Sequence, residues 1–272
     1  MYQSLKHDVV GELLGTALLV FFGCGAVAVS VLFSAHSGLW QIAMIWGAAV
    51  ALAIYATRHL SCAHLNPAVS LAMVASGRMR ASKLPLYITA QFAGAFFAAA
   101  LLYLLFADSI SHFEALHGIV RGSPESVQTA MMFGEFYPNP GSGEAAVVSM
   151  RTAFLAEAIG TFALVLMIFS LTEGCNLGRP DNALAPLFIG GTVAMIIAVI
   201  APLTQAGLNP ARDLSPRLFA MLAGWQDAAF PDAEMGFLAV YVLGPIAGGL
   251  LAALVFTKLI EPLMSAKRCD NC

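Results

Sequence analysis

The triplet Asn-Pro-Ala occurs twice in this chain, as Asn66-Pro67-Ala68 and as Asn209-Pro210-Ala211. Each reads as the start of a helix. Asn is a preferred N-cap whose side-chain oxygen accepts from the helix's own orphan N–H groups, and Pro at the first helical position loses nothing by lacking an N–H. The cap uses only the amide oxygen, so the NH₂ groups of Asn66 and Asn209 remain as donors. Whatever meets them must bring an acceptor, as a water or hydroxyl oxygen does.

The elements that hold these triplets follow from hydropathy. With 59% hydrophobic residues, 11% charged residues and a mean hydropathy of +0.80, the chain lies outside the range of soluble globular domains. A helix crossing about 30 Å of hydrocarbon needs about 20 residues. Six segments are long enough: roughly 9–33, 39–57, 84–106, 152–171, 183–203 and 236–260. The first is too long for a secretory leader, lacks a convincing cleavage region and is followed by further spans, so it reads as a transmembrane helix. Two helical stretches remain, 66–76 and 209–219; at about 15 Å each they reach only halfway across. The fold class is therefore an all-α membrane protein of six transmembrane helices and two re-entrant half-helices.

An internal repeat orders these elements. Glu12-Leu-Leu-Gly15-Thr16 returns as Glu157-Ala-Ile-Gly160-Thr161, 145 residues on, and the triplet returns 143 residues on. Three spans separate the two starts, so the second copy is upside down in the membrane, an inverted 3+3 repeat. The division is a first repeat over 1–106, a connecting loop over 107–149, a second repeat over 150–262 and a tail over 263–272. The half-helices then enter from opposite faces and meet at the midplane, each N-terminus carrying roughly half a positive charge. Their field opposes cations and protons, which predicts a passage for neutral solutes. The extended residues before each triplet line it with carbonyls, because irregular backbone survives at this depth only beside protein or a water-filled cavity.

Charge and cysteine content narrow the possibilities further. Placing both termini on the cytoplasmic side puts Lys6, Arg58, Arg78, Arg80, Lys83, Arg179, Lys258, Lys267 and Arg268 inside, against Arg121, Arg151, Arg212 and Arg217 outside, in keeping with the retention of positive residues. The acidic stretch from Asp108 to Ser149 belongs outside, where Tyr137-Pro-Asn-Pro140-Gly marks a loop over the mouth. A net charge of -3 without a basic stripe gives no hold for nucleic acid. Five cysteines, of which Cys269 and Cys272 form half a zinc spacing with no second pair, imply neither a disulfide framework nor a metal. No nucleophile motif points to an enzyme, and no cofactor is called for.

The intramembrane carboxylates Glu12 and Glu157 occupy equivalent places in the repeats, where each is expected to accept from the non-helical backbone before a triplet; proton relay is the competing role. His64 is expected to serve as scaffold. Gly11-x-x-x-Gly15 and Gly244-x-x-x-Gly248 are expected to let helices pack closely within the subunit.

Taken together, Ala63-His64-Leu65-Asn66-Pro67-Ala68-Val69, Gly207-Leu208-Asn209-Pro210-Ala211-Arg212-Asp213, Trp46-Gly47, His117 to Ser123, Tyr137-Pro-Asn-Pro140 and Leu222-Ala-Gly-Trp225 make the chain resemble the major intrinsic protein (aquaporin) family. Within it they resemble the aquaglyceroporin branch, typified by bacterial glycerol facilitators. The resemblance implies the aquaporin fold, a homotetramer in the bacterial inner membrane, and a passive channel chiefly for glycerol and water. It implies a central constriction at Asn66, Pro67, Ala68, Asn209, Pro210 and Ala211, with carbonyls of Cys62, Ala63, His64, Leu65, Gly207 and Leu208 lining the path.

The resemblance also implies an outer selectivity filter of Trp46, Ile197, Ala206 and Arg212. Trp46 would be the apolar wall for a carbon backbone, and Arg212 would offer donors to a hydroxyl and repel cations. Asp213 and Arg217 mark the glycerol branch. Two filter residues depart from the facilitator pattern, which has Gly and Phe where this chain has Ile197 and Ala206, and Tyr241-Val242 replaces that branch's Pro-Leu. These departures keep metalloid hydroxides, urea and ammonia open as solutes. A proton-coupled carrier using Glu12 or Glu157 is the reading from a different class.

Overall fold

The structure, a computed structural model, describes residues 2–145, 147–230 and 235–264, and every regular element among them is helical. Six helices are long and apolar enough to cross a membrane: Tyr2–Phe33, Leu39–Ser61, Leu84–Leu116, Met150–Thr172, Ala185–Thr204 and Gly236–Met264. Between the second and third lies the half-helix Pro67–Ala75, and between the fifth and sixth lies Pro210–Ala220. The outer faces of the bundle show large apolar side chains to their surroundings, Leu104 at 76% and Val199 at 71% exposure. Such faces suit lipid.

The two repeats pack alike. The first span lies against the second and third, the fourth lies against the fifth and sixth, and the second meets the fifth across the repeat axis. Each half-helix docks mainly on the last span of the other repeat, Pro67–Ala75 on the sixth and Pro210–Ala220 on the third. Two glycines set how closely the spans approach. A Cβ on Gly94 would stand 2.2 Å from the carbonyl oxygen of Leu13, and one on Gly248 would stand 2.0 Å from that of Ala158. Only glycine permits either contact. Gly11, Gly15 and Gly244 likewise abut residues of this same chain.

Several boundaries differ from those read off hydropathy. The third span does not stop at 106 but continues to Leu116, so the connecting loop starts at 117 and not 107. Asp108, Ser109, Ser111, His112 and Glu114 end the apolar run without ending the helix, since a helix leaving the bilayer needs no apolar side chains. The loop itself is partly helical at Pro124–Ser126 and Val127–Ala130. For the same reason the first span begins at Tyr2, the second runs on to Ser61, and the sixth continues into the segment assigned to the tail. Lys267, Arg268, Cys269 and Cys272 lie outside the described residues.

Candidate functional site

Local sequence starts both half-helices. Asn66 is extended and its Oδ1 accepts from Ala68 N at 2.8 Å. Asn209 is also extended and accepts from Ala211 N at 3.1 Å and Arg212 N at 3.2 Å. The amide groups go further than capping. Asn66 Nδ2 donates to Leu208 O, and Asn209 Nδ2 donates to Leu65 O, each at 2.8 Å. The expectation of wholly free amides is thereby corrected. Each NH₂ spends one hydrogen on the opposite repeat and keeps one.

The chain before each triplet is held in a conformation that it would not keep alone. Cys62, Ala63 and Leu65 have φ of 68, 51 and 54°, and their repeat equivalents Gln205, Ala206 and Leu208 have 62, 65 and 55°. Non-glycine residues in this left-handed region cost about 1–3 kcal/mol each. The buried carboxylates supply the offset. Glu12 accepts from Ser61 Oγ (2.8 Å), His64 N (2.9 Å), Leu65 N (2.7 Å) and Gln91 Nε2 (2.7 Å). Glu157 accepts from Thr204 Oγ1 (2.6 Å), Gly207 N (2.9 Å) and Leu208 N (2.7 Å). At about 1.5–3 kcal/mol for each bond to a charged group, three or four such bonds match the strain. His64 also touches this framework, its Nδ1 lying 3.1 Å from Ser70 Oγ, while its ring borders the cavity described next.

A cavity of about 380 Å³ runs along the repeat interface. It is bordered by Asn66 and Asn209, by Cys62 to Leu65 and Ala206 to Leu208, and by Trp46, Ile197 and Arg212. Pro67, Ala68, Pro210, Ala211, Glu12, Glu157, Asp213 and Arg217 do not border it; they support residues that do. Val50, Ile54 and Val193 form an apolar wall. Arg58, Arg78 and Asn182 stand at the far end, and since Trp46 and Arg58 are both on the second span, twelve residues apart, the cavity is at least about 18 Å long.

Bordering this cavity, the Arg212 guanidinium sits 4.4 Å over the Trp46 ring, in the range of a cation–π contact. The absence of a side chain at Gly23 makes room for that ring, since a Cβ there would lie 2.2 Å from it. Arg212 also donates to Phe133 O at 3.4 Å and forms an ion pair with Glu135. Glu135 was legible in the sequence only as one more acid of the connecting loop. Its backbone is clamped: Glu135 N donates to Asp213 Oδ1 at 2.7 Å, and Arg217 Nη2 donates to Glu135 O at 2.5 Å. Asp213 and Arg217, read from the sequence only as branch markers, form a fully buried ion pair that takes up this backbone as its further polar partner.

A six-span bundle with two opposed half-helices whose asparagines both border one cavity defines a membrane protein of the channel type. The chain belongs to the major intrinsic protein family: the sequence model described as "Major intrinsic protein" matches residues 2–256. It is 43% identical over 261 residues to the glycerol uptake facilitator protein of Haemophilus influenzae, covering 96% of both chains. It is 40% identical over 271 residues to the propanediol uptake facilitator PduF of Salmonella typhimurium, covering 99% of this chain and 100% of that one. Among solved structures it is similar to the X-ray structure of the aquaglyceroporin from Plasmodium falciparum, with a TM-score of 0.82 and 27% identity over 96% of this chain and 99% of the other.

Proposed function

We propose that this protein is a passive channel for glycerol, other small polyols and water. One observation carries the reading: a single cavity is bordered by the apolar side chains of Val50, Ile54 and Val193, by the left-handed loop segments 62–65 and 206–208, and by both asparagines. A polyol is amphipathic in the same sense. Its carbon chain lies along Trp46, Val50, Ile54, Val193 and Ile197, while its hydroxyls donate to the carbonyls of 62–65 and 206–208. Stripping one hydroxyl of water without a replacement costs about 2–7 kcal/mol, so a ladder of acceptors is what lowers the barrier. At the midpoint each asparagine's remaining N–H meets an oxygen lone pair.

Ions find no such compensation. Both half-helix N-termini point positive partial charge at the centre, and the strip of carbonyls is too sparse to replace a cation's hydration shell. Coupling to protons through Glu12 or Glu157 is disfavoured by their partners, since both carboxylates are already engaged by the loops. The names of the relatives, facilitators of glycerol and of propanediol uptake, accord with a small-polyol conduit. Both termini are assigned to the cytoplasm on the placement of Lys and Arg, the setting to a bacterial inner membrane, and the assembly to a homotetramer on the family resemblance.

Stopped-flow light scattering on reconstituted vesicles tests the proposal, with water, glycerol, urea and arsenite compared side by side. Flux that is non-saturating over a wide range and indifferent to a pH gradient is expected. Accumulation of solute driven by that gradient would replace the channel with a carrier.

A further inference from the structure

Tyr241 sits fully buried at the back of the second re-entrant loop. Its hydroxyl donates to Thr204 O at 3.1 Å. Its ring closes on Gly207, where a Cβ would lie 2.9 Å from Cδ1. Thr204 is the last residue of the fifth span, and a carbonyl at a helix end has no intrahelical partner. The other side of the same residue is also tied, because Thr204 Oγ1 donates to Glu157 and accepts from Ala206 N at 3.2 Å. One peptide plane further on, Gln205 and Ala206 turn left-handed, and Ala206 borders the cavity.

The first repeat contains the same device. Tyr87 hydroxyl donates to Ser61 O at 2.5 Å, Ser61 is the last residue of the second span, and Ser61 Oγ donates to Glu12 while accepting from Ala63 N at 3.1 Å. The two tyrosines are equivalents in the inverted repeat. Each lies seven residues before the glycine, Gly94 or Gly248, that touches the backbone of its repeat's first span at Leu13 or Ala158. A phenol placed twice on the carbonyl that precedes a strained, solute-facing turn is hard to ascribe to packing alone. In the sixth span Tyr241 also falls inside a wide π turn, Ala239–Leu243, a local irregularity that re-aims side chains and recurs at functional sites.

We infer that Tyr241 is a positioning residue for selectivity: by holding the carbonyl of Thr204 it sets where Ala206 and Gly207 present their backbone oxygens beside Arg212, and so how well several hydroxyls of one solute are met at once. This rests on the reading of the cavity as a polyol path. Glycerol needs several acceptors aligned, whereas a water molecule needs only the nearest. Tilting the Thr204 peptide therefore penalises glycerol more than water.

The test is Tyr241→Phe in reconstituted vesicles, which removes one hydroxyl and keeps the ring, with water and glycerol permeability measured on the same preparation. The glycerol-to-water ratio is expected to fall by roughly two- to tenfold, the range spanned by one hydrogen bond's net contribution. A purely structural role would lower both permeabilities in proportion and leave the ratio at its wild-type value, which would overturn the inference. Should Tyr241→Phe not reach the membrane, Tyr241→Met, whose flexible side chain fills irregular gaps, is read by the same ratio. Wild-type vesicles separate the two levels of failure. If wild-type protein passes no glycerol, the polyol reading itself falls; if it passes glycerol and the variant ratio is unchanged, only the role of Tyr241 does.

Discussion

The carboxylate of Glu135, from the connecting loop between the repeats, is ion-paired with the guanidinium of Arg212, from the second half-helix, and both side chains are almost completely enclosed, at 3% and 4% exposure. This changes what Arg212 contributes. A bare guanidinium would repel cations by itself, as its place in the sequence suggests, but its charge is here locally offset, and some of its donors are committed to Glu135 and Phe133. Cation exclusion then falls chiefly to the half-helix dipoles and to the cost of dehydration.

A double-mutant cycle reads the strength of this pair. Glu135→Ala leaves a buried, uncompensated guanidinium, an arrangement that costs about 3–5 kcal/mol. Glu135→Ala combined with Arg212→Leu removes both charges and is expected to be the less destabilised of the two in detergent-solubilised thermal unfolding. A double variant as unstable as the sum of the singles would mean that the two groups are not energetically coupled.

Arg217 is expected to resist even conservative replacement. Its fork donates to Asp213, to Ala229 O at 2.6 Å and to Glu135 O, and a lysine ammonium cannot span three such acceptors in one plane. Arg217→Lys should reduce the yield of folded protein and, in what does fold, loosen the loop that carries Glu135. Proteolysis of that loop in intact vesicles, faster in the variant than in the wild type, is the measurement.

Asn66→Asp replaces the donor that holds Leu208 O with a group that can only accept, and puts a negative charge where the half-helix ends are positive. Solute flux should drop by about an order of magnitude, because the lost bond and the carboxylate–carbonyl repulsion together approach the ~1.4 kcal/mol that a tenfold change represents. Cation conductance, measured electrically in planar bilayers, should become detectable. An unaltered ion barrier would place the exclusion elsewhere than at the asparagines.

Ile197 and Ala206 both border the cavity beside Arg212. Exchanging them for the facilitator pattern, Ile197→Gly with Ala206→Phe, should raise glycerol flux relative to arsenite. A ratio that does not move would show that the constriction lies at other residues.

The far mouth bears on pH dependence. Arg78 pairs with Glu173 at 2.7 Å and Glu261 at 3.3 Å while covering the ring of Phe169 at 4.7 Å, which ties the first half-helix region to the loop after the fourth span. Burial pushes the Glu173 carboxyl up, but hydrogen bonds from Arg78 and from the Cys175 backbone outweigh it and hold the group below the usual carboxylate range. A depressed value means that the tie is present above the unfolded carboxylate's value, near 4.3, and is lost only as pH falls through the lower folded one. Glycerol flux should therefore be flat from pH 5 to 8. A step inside that window would assign it to another group, His64 being the one that borders the passage.

The half-helices were legible nearly to the residue because capping is local: Asn followed by Pro dictates a start whatever surrounds it, and Pro67 and Pro210 are indeed the first helical residues. The spans were legible in number but not in length. Hydropathy reports how far the chain stays in hydrocarbon, while the helix of the third span continues through Glu114, a buried acid that pairs with Arg121 and accepts from Thr129 at 2.8 Å. The hidden residues of the site have a common trait. Glu135 and Tyr87 carry no local pattern, and each acts on a partner 26 to 78 residues distant along the chain; Tyr241 stood out only as a departure, and its partner Thr204 is likewise remote.

From residue types and their order alone came a membrane protein with six crossings, an inverted duplication and two capped half-helices, since a bilayer admits few backbone conformations and both hydropathy and capping act over neighbouring residues. Which atoms meet was settled only by the folded chain: the two asparagines donating into each other's loop, a connecting-loop acid pairing with Arg212, and a tyrosine behind each turn. Those contacts join segments far apart in the chain, and their existence depends on distances of a few tenths of an ångström that no one-dimensional pattern encodes.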